Sequence, residues 1–178
     1  MAEIATVILV SLAGISDLRT GKIYNAITYS AIGWAVVASA AGALDPALSH
    51  LGVPWRSAAI GFGVAFVGFF FLYALGWMGG GDVKLMAAVG ALKGFPFILH
   101  AMFYSIFLGG IAALLVLIWR GELAATTREA GRALREVVVP GTSPAPMKKL
   151  GGSLPFGVAI CFGTMAAMAL EVFQLRVL

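Results

Sequence analysis

Charge is scarce in this sequence. The 178 residues include 12 Lys or Arg, 8 Asp or Glu and 2 His, and charged residues make up 11% of the chain. A soluble domain carries about a quarter. Cysteine is scarcer still, with only Cys161, which excludes an internal disulfide and any zinc site built from several cysteines. Cys161 sits in the last apolar segment and reads as a core residue. Several catalytic signatures are also missing: there is no HExxH, no GxSxG, no Walker loop, and no Ser/His/Asp set that a shared depth would bring together. Alternating strands of about ten residues, the mark of a membrane barrel, are absent too, as are internal repeats.

Apolar residues and glycine are abundant instead, at 61% hydrophobic with 23 glycines. Several runs approach the roughly 20 residues that cross a bilayer as a helix. Backbone polar groups in lipid must be satisfied internally, so the sequence predicts an all-α polytopic membrane bundle. Six segments are expected: about Ala2–Ser16, Tyr24–Leu44, Ala58–Trp77, Val83–Leu92, Phe97–Trp119 and Leu154–Phe173. The fourth is only about half a hydrocarbon thickness long. The first lacks the basic start of a secretory signal, since Glu3 is its only early charge, and it reads as a retained helix.

Loop charges set the expected orientation. With the N-terminus outside, the inner side holds Arg19, Lys22, Lys84, Arg120, Arg128, Arg132, Arg135, Lys148 and Lys149, and the outer side only Arg56, Lys93 and Arg176. The net charge of +4 then reflects membrane orientation and requires no nucleic-acid partner. Residues 1–178 read as one membrane-embedded domain. Its longest polar stretch, about residues 120–152, reads either as an amphipathic helix on the inner membrane surface or as a solvated loop. Glycines within the apolar segments, such as Gly61, Gly63, Gly68, Gly109 and Gly110, read as close-packing positions.

So few acids remain that candidate sites can be covered completely. Asp45 precedes Pro46 in an outer loop, and Glu3, Glu171, His50 and His100 read as interfacial side chains able to reach the headgroups. Asp17 and Asp82 stand apart, because both fall at the inner ends of apolar segments. Carboxylates at such positions are functional candidates. The bland alternative pairs Asp17 with Arg19 or Lys22, and makes Asp82 a helix cap or a partner of Lys84. Two carboxylates a few ångströms apart cannot both ionise cheaply, so they share a proton. One then takes a proton from water while the other donates to the substrate carbonyl or the departing amine. Such aspartyl peptide hydrolysis needs neither metal nor cofactor. Gly79, Gly80 and Gly81 before Asp82 leave room for an extended substrate backbone, and glycine permits a non-helical entry into the fourth segment.

Three blocks resemble, in order, those of the bacterial type IV prepilin peptidases, membrane aspartyl proteases of the GxGD class: "DLRTGKIYNAIT" at Asp17–Thr28, "GGGDVKLMAAVGAL" at Gly79–Leu92 and "LPFGVAI" at Leu154–Ile160. The resemblance implies that Asp17 and Asp82 are the catalytic pair. It also implies that the substrate is a prepilin, cut at the cytoplasmic face of the inner membrane to release a short basic leader, usually just after a glycine. Gly79, Gly81 and Lys84 match the family's GxGDxK block, while Asn25 and Pro155–Phe156–Gly157 match blocks expected to shape the site. Two departures stand out. Tyr24 replaces a proline common in the first block, so the local turn is expected to differ. The paired CxxC motifs of bifunctional members, which also methylate pilins, are missing. The expected protein is therefore a peptidase-only form similar to those of Flp-type (tight adherence) pilus systems, with archaeal-type preflagellin peptidases as the second short form. A proton- or cation-coupled transporter using Asp17 and Asp82 is the alternative from another class, and a scaffold subunit that has lost catalysis is a third. The sequence does not set the oligomeric state.

Overall fold

The computed structural model describes residues 1–76, 78–121, 128 and 156–177. These residues form α-helices and one short 3-10 turn, with no strand among them. In chain order the helices are α1 (Ala2–Thr20), α2 (Asn25–Leu44), α3 (Trp55–Ala74), α4 (Gly80–Lys93), α5 (Phe97–Arg120) and α6 (Phe156–Val177), with the 3-10 turn at Pro46–Leu51 between α2 and α3. The chain is thus the helical membrane bundle that its composition predicts. Four stretches are long and apolar enough to cross a bilayer: Asn25–Leu44, Pro46–Ala74, Phe97–Arg120 and Phe156–Phe173.

Two helices depart from that pattern. α1 carries Glu3, Asp17 and Arg19, and α4 has only 14 residues, about 21 Å of helix against a hydrocarbon core of about 30 Å. α4 compensates for its length by burial. Every residue from Leu85 to Leu92 is buried, because α4 packs against α1, α2, α3 and α6 together. A helix apolar on all sides suits such a central position. Lipid-facing helices instead display large side chains such as Val36, Val37, Phe71 and Phe103.

Burial this tight depends on small residues, since helices in lipid associate by close packing. A methyl group added at Gly61 of α3 would run into the Gly90 carbonyl of α4, and one added at Gly90 would run into the Gly61 carbonyl. Not every apolar glycine serves this purpose. Among the described residues, Gly63 and Gly110 have nothing within 4 Å of a would-be Cβ, so the close-packing reading finds no support at those two positions.

The chain groups into two compact units. The first comprises Met1–Gly109 and Pro155–Leu178, and the second Gly110–Leu154. The first unit holds the core, in which Leu9, Val10, Ala65, Phe69, Leu85, Met86, Val89, Ile98 and Ile160 are packed with little or no exposure. The second unit contains the end of α5 up to Arg120. Apart from Arg120, Gly121 and Arg128, the expected amphipathic stretch at residues 120–152 lies outside the described residues.

Candidate active site

Asp17 lies in the last turn of α1 and is buried, with 7% of its surface exposed. The helix ends just beyond it because Gly21 adopts the left-handed conformation (φ 62°, ψ 21°) and its N–H returns to the Asp17 carbonyl, a cap that glycine forms without steric cost. The turn into α2 is fastened by the Ser16 hydroxyl, which donates to the Lys22 carbonyl at 2.7 Å. Tyr24 then precedes α2 with φ −72° and ψ 133°. That φ lies within the range proline would impose, so the expected difference in this turn is not found. Tyrosine reaches the same backbone conformation without the ring.

Asp17 is not paired with Arg19 or Lys22. Its Oδ2 accepts a hydrogen bond from the Gly157 N–H at 2.8 Å, and the Val158 amide also serves it. Both donors belong to the first turn of α6, where helical N–H groups lack intrahelical partners. A backbone amide is thus what the carboxylate receives from the "PFG" block, and the sequence alone gave no sign of it. Pro155 lies outside the described residues. Phe156 opens α6 with its ring against Gly109 and 6.4 Å from the Phe69 ring, anchoring the helix start that presents Gly157.

Asp82 occupies the third position of α4. Gly79 is the residue before the helix, extended at φ −79° and ψ 148°, and its N–H donates to Asp82 Oδ2 at 3.2 Å. The capping alternative is therefore realised, and it leaves Asp82 next to Gly81, which packs against Ile23. The glycines before Asp82 give the non-helical entry expected of them at Gly79 alone. Gly79 has an ordinary extended φ, Gly80 and Gly81 are already helical, and none of the three has positive φ. Gly79 and Gly81 supply room, whereas a side chain at Gly80 would meet only ordinary contact. A Cβ on Gly79 would lie 3.2 Å from Asp82 Oδ2, one on Gly80 3.6 Å from the Tyr73 ring, and one on Gly81 3.2 Å from Ile23 Cβ.

Ile23 joins the two halves. A Cβ on Gly157 would lie 2.8 Å from Asp17 Oδ2 and 3.0 Å from Ile23 Cδ1, while Gly81 faces the same isoleucine from α4. Asp17, Gly157, Ile23 and Gly81 thus form a contiguous set that ends beside Asp82. Sequence reasoning missed Ile23, which looked like one more apolar residue; its position six residues after the first aspartate was the only available signal.

Lys84 and Asn25, expected separately, prove to be partners. The Lys84 ammonium donates to Asn25 Oδ1 at 3.0 Å and lies 5.2 Å from the Tyr29 ring centroid, a cation–π distance. Lys84 therefore ties the start of α2 to the first turn of α4 and does not neutralise Asp82. Of the acids assigned to the membrane interface, Glu3 and Glu171 are instead engaged by Lys93 at the opposite ends of their helices. Asp45 accepts from the Ala47 N–H at 2.9 Å, the turn role expected of it.

Fold and site together define a polytopic helical membrane protein in which two acidic residues, Asp17 of α1 and Asp82 of α4, come from separate helices linked through Gly157, Ile23 and Gly81. The sequence profile of the type IV leader peptidase family matches residues 4–114, more than half the chain and the part that contains both aspartates. The chain belongs to the type IV leader peptidase family. No curated protein matches it, and no solved structure does.

Proposed function

We propose that this peptidase is an aspartyl endopeptidase of the GxGD type that removes the short basic leader from Flp-type prepilins, with Asp17 and Asp82 as its catalytic pair. What supports this reading is that Ile23 packs against both Gly157, which holds Asp17, and Gly81, the neighbour of Asp82, in a leader peptidase family member. The catalytic pair shares one proton. The ionised member accepts a proton from the attacking water as oxygen bonds to the scissile carbonyl carbon. The protonated member donates to the carbonyl oxygen and then to the departing amine. The family name supplies the leader-peptide substrate, and the membrane helices supply the bilayer in which a prepilin's apolar segment lies.

The active site opens to the cytoplasmic side of the inner membrane, with the N-terminus outside, on the support of the loop charges. Gly79, Gly80 and Gly81 leave space for the extended substrate backbone. Gly157 orients Asp17, while Lys84 and Asn25 brace the opening of α4, and Phe156 anchors the start of α6. These residues carry one cysteine, so they hold no paired CxxC motif, and leader cleavage without N-methylation is the activity proposed.

The test is co-expression with a Flp-type prepilin, following leader removal by gel shift. Wild type is expected to shorten the pilin. Asp17→Asn and Asp82→Asn are each expected to leave it uncut while accumulating in the membrane. Cleavage that persists in both variants sinks the assignment.

A further inference from the structure

At the far ends of the helices that carry the site, one lysine meets two acids. Lys93, the last residue of α4, places its ammonium 2.8 Å from Glu171 Oε2 of α6 and 3.5 Å from Glu3 Oε1 of α1. It also lies 4.6 Å from the Phe97 ring centroid. The Lys93 side chain is 8% exposed, whereas Glu3 and Glu171 are 63% and 43% exposed. The cation is therefore the buried member, held by carboxylates that stay partly open.

The three helices in this cluster are the three that build the site. α1 bears Glu3 near its start and Asp17 near its end. α4 bears Asp82 near its start and Lys93 at its end, and α6 bears Gly157 near its start and Glu171 further on. The spacing from triad to site is about 21 Å along α1 and α6 and about 16 Å along α4 at 1.5 Å per residue. α1 and α6 are also joined at the site end by the bond from Gly157 to Asp17. Among the described residues, the polar ties from α4 to either of them are those of Lys93. Between the two ends, α4 is buried through apolar side chains alone, from Ala87, Ala88 and Ala91 to Leu85, Met86, Val89 and Leu92.

The geometry points to Lys93 as a positioning residue: by clamping the end of α4 to α1 and α6, it fixes the axial register that sets Asp82 beside Asp17. A slip of α4 along its axis carries Asp82 with it, while Asp17 stays with Gly157. The consequence for catalysis rests on the aspartyl peptidase reading. The register itself does not.

Two cysteine pairs read the register without any substrate. Ile23→Cys with Gly81→Cys, in a Cys161→Ser background, spans the turn after α1 and the start of α4. Gly14→Cys with the native Cys161 spans α1 and α6, where a Cβ at Gly14 would lie 3.3 Å from Cys161 Cβ. Both separations are near the range of about 3.5–4.5 Å that disulfides favour. Adding Lys93→Met is expected to lower cross-linking of the first pair and spare the second, with yields taken per molecule present in the membrane. Lys93→Arg, which keeps the charge and offers two prongs for two carboxylates, is expected to retain both.

On prepilin, with the native residues at the four cross-linking positions, Lys93→Met is expected to lower kcat by roughly a hundredfold with little change in KM, the scale of an ångström-level misplacement. Glu3→Gln with Glu171→Gln repeats the test with Lys93 left in place. Unchanged cross-linking, an equal loss in both pairs, or a fall in cross-linking without a fall in kcat overturns the proposal. Failure of the peptidase reading looks different, since wild type then cuts no prepilin while the cross-linking result stands.

Discussion

The Gly157 N–H lies 2.8 Å from Asp17 Oδ2, and this bond fastens the start of α6 to the last turn of α1. It explains why a segment near the end of the chain belongs to a site whose carboxylates lie in the first half. The helix N-terminus offers a donor and a positive dipole end, both suited to a carboxylate.

Gly157→Ala is therefore expected to impair catalysis more than folding. The added Cβ would sit 2.8 Å from Asp17 Oδ2 and 3.1 Å from Asp17 Cβ, so the carboxylate must move away from its donor. Losing a hydrogen bond to a charged group costs about 1.5–3 kcal/mol, which corresponds to roughly a ten- to hundredfold fall in kcat/KM for leader cleavage. Alanine is the better helix former, so accumulation in the membrane is expected to hold. Kinetics on a prepilin, with membrane abundance as control, check both halves.

How much of this was legible in the sequence follows from what kind of signal each feature leaves. Hydrophobic run length revealed the bundle, and the positions of Asp17 and Asp82 at the ends of apolar segments marked them as candidates before any coordinate was known. The same reasoning puts Lys93, Glu3 and Glu171 on the other side, yet it reads Glu3 and Glu171 as headgroup-reaching and Lys93 only as an outer charge. Pairing across 78 residues, as between Lys93 and Glu171, leaves no local pattern. The roles of Ile23 and the Gly157 amide depend on contacts between helices and on a backbone group that every non-proline residue carries, so residue type cannot announce them. The non-helical entry into α4 expected of the glycines before Asp82 is found at Gly79, which is extended at φ −79° and ψ 148°.

Lys84 and Asn25 are expected to behave as one unit. Lys84→Met removes the donor of the 3.0 Å bond to Asn25, and Asn25→Ala removes the acceptor. Each single change is expected to weaken processing, and the double variant to add little to the worse of the two. A double-mutant cycle on cleavage rates is expected to return a coupling of about 1 kcal/mol, typical of one hydrogen bond. A coupling near zero would mean that the two residues act separately.

Asp82 combines a structural and a chemical task, and two substitutions separate them. Asparagine keeps an oxygen that can accept from the Gly79 N–H, which Asp82 Oδ2 now does at 3.2 Å; alanine does not. Asp82→Ala is expected to lose about 1 kcal/mol of stability through the missing cap, seen as a lower melting temperature in detergent. Asp82→Asn is expected to melt close to wild type. Both are expected to abolish leader cleavage, since neither side chain exchanges a proton near neutral pH.

Gly61 and Gly63 lie two residues apart on α3 and are expected to respond oppositely to alanine. At Gly61 the new methyl group would meet the Gly90 carbonyl and the backbone of Gly94, forcing α3 and α4 apart, whereas at Gly63 nothing lies within 4 Å. Overpacking of this kind typically costs about 1–3 kcal/mol. In lipid the close contact it disrupts is the main source of helix association. Gly63→Ala adds only the helix-propensity gain of up to about 1 kcal/mol. Thermal unfolding in one detergent is expected to place Gly61→Ala below wild type and Gly63→Ala at or above it. Because α4 also carries Asp82, Gly61→Ala is expected to slow cleavage as well, while Gly63→Ala leaves it unchanged.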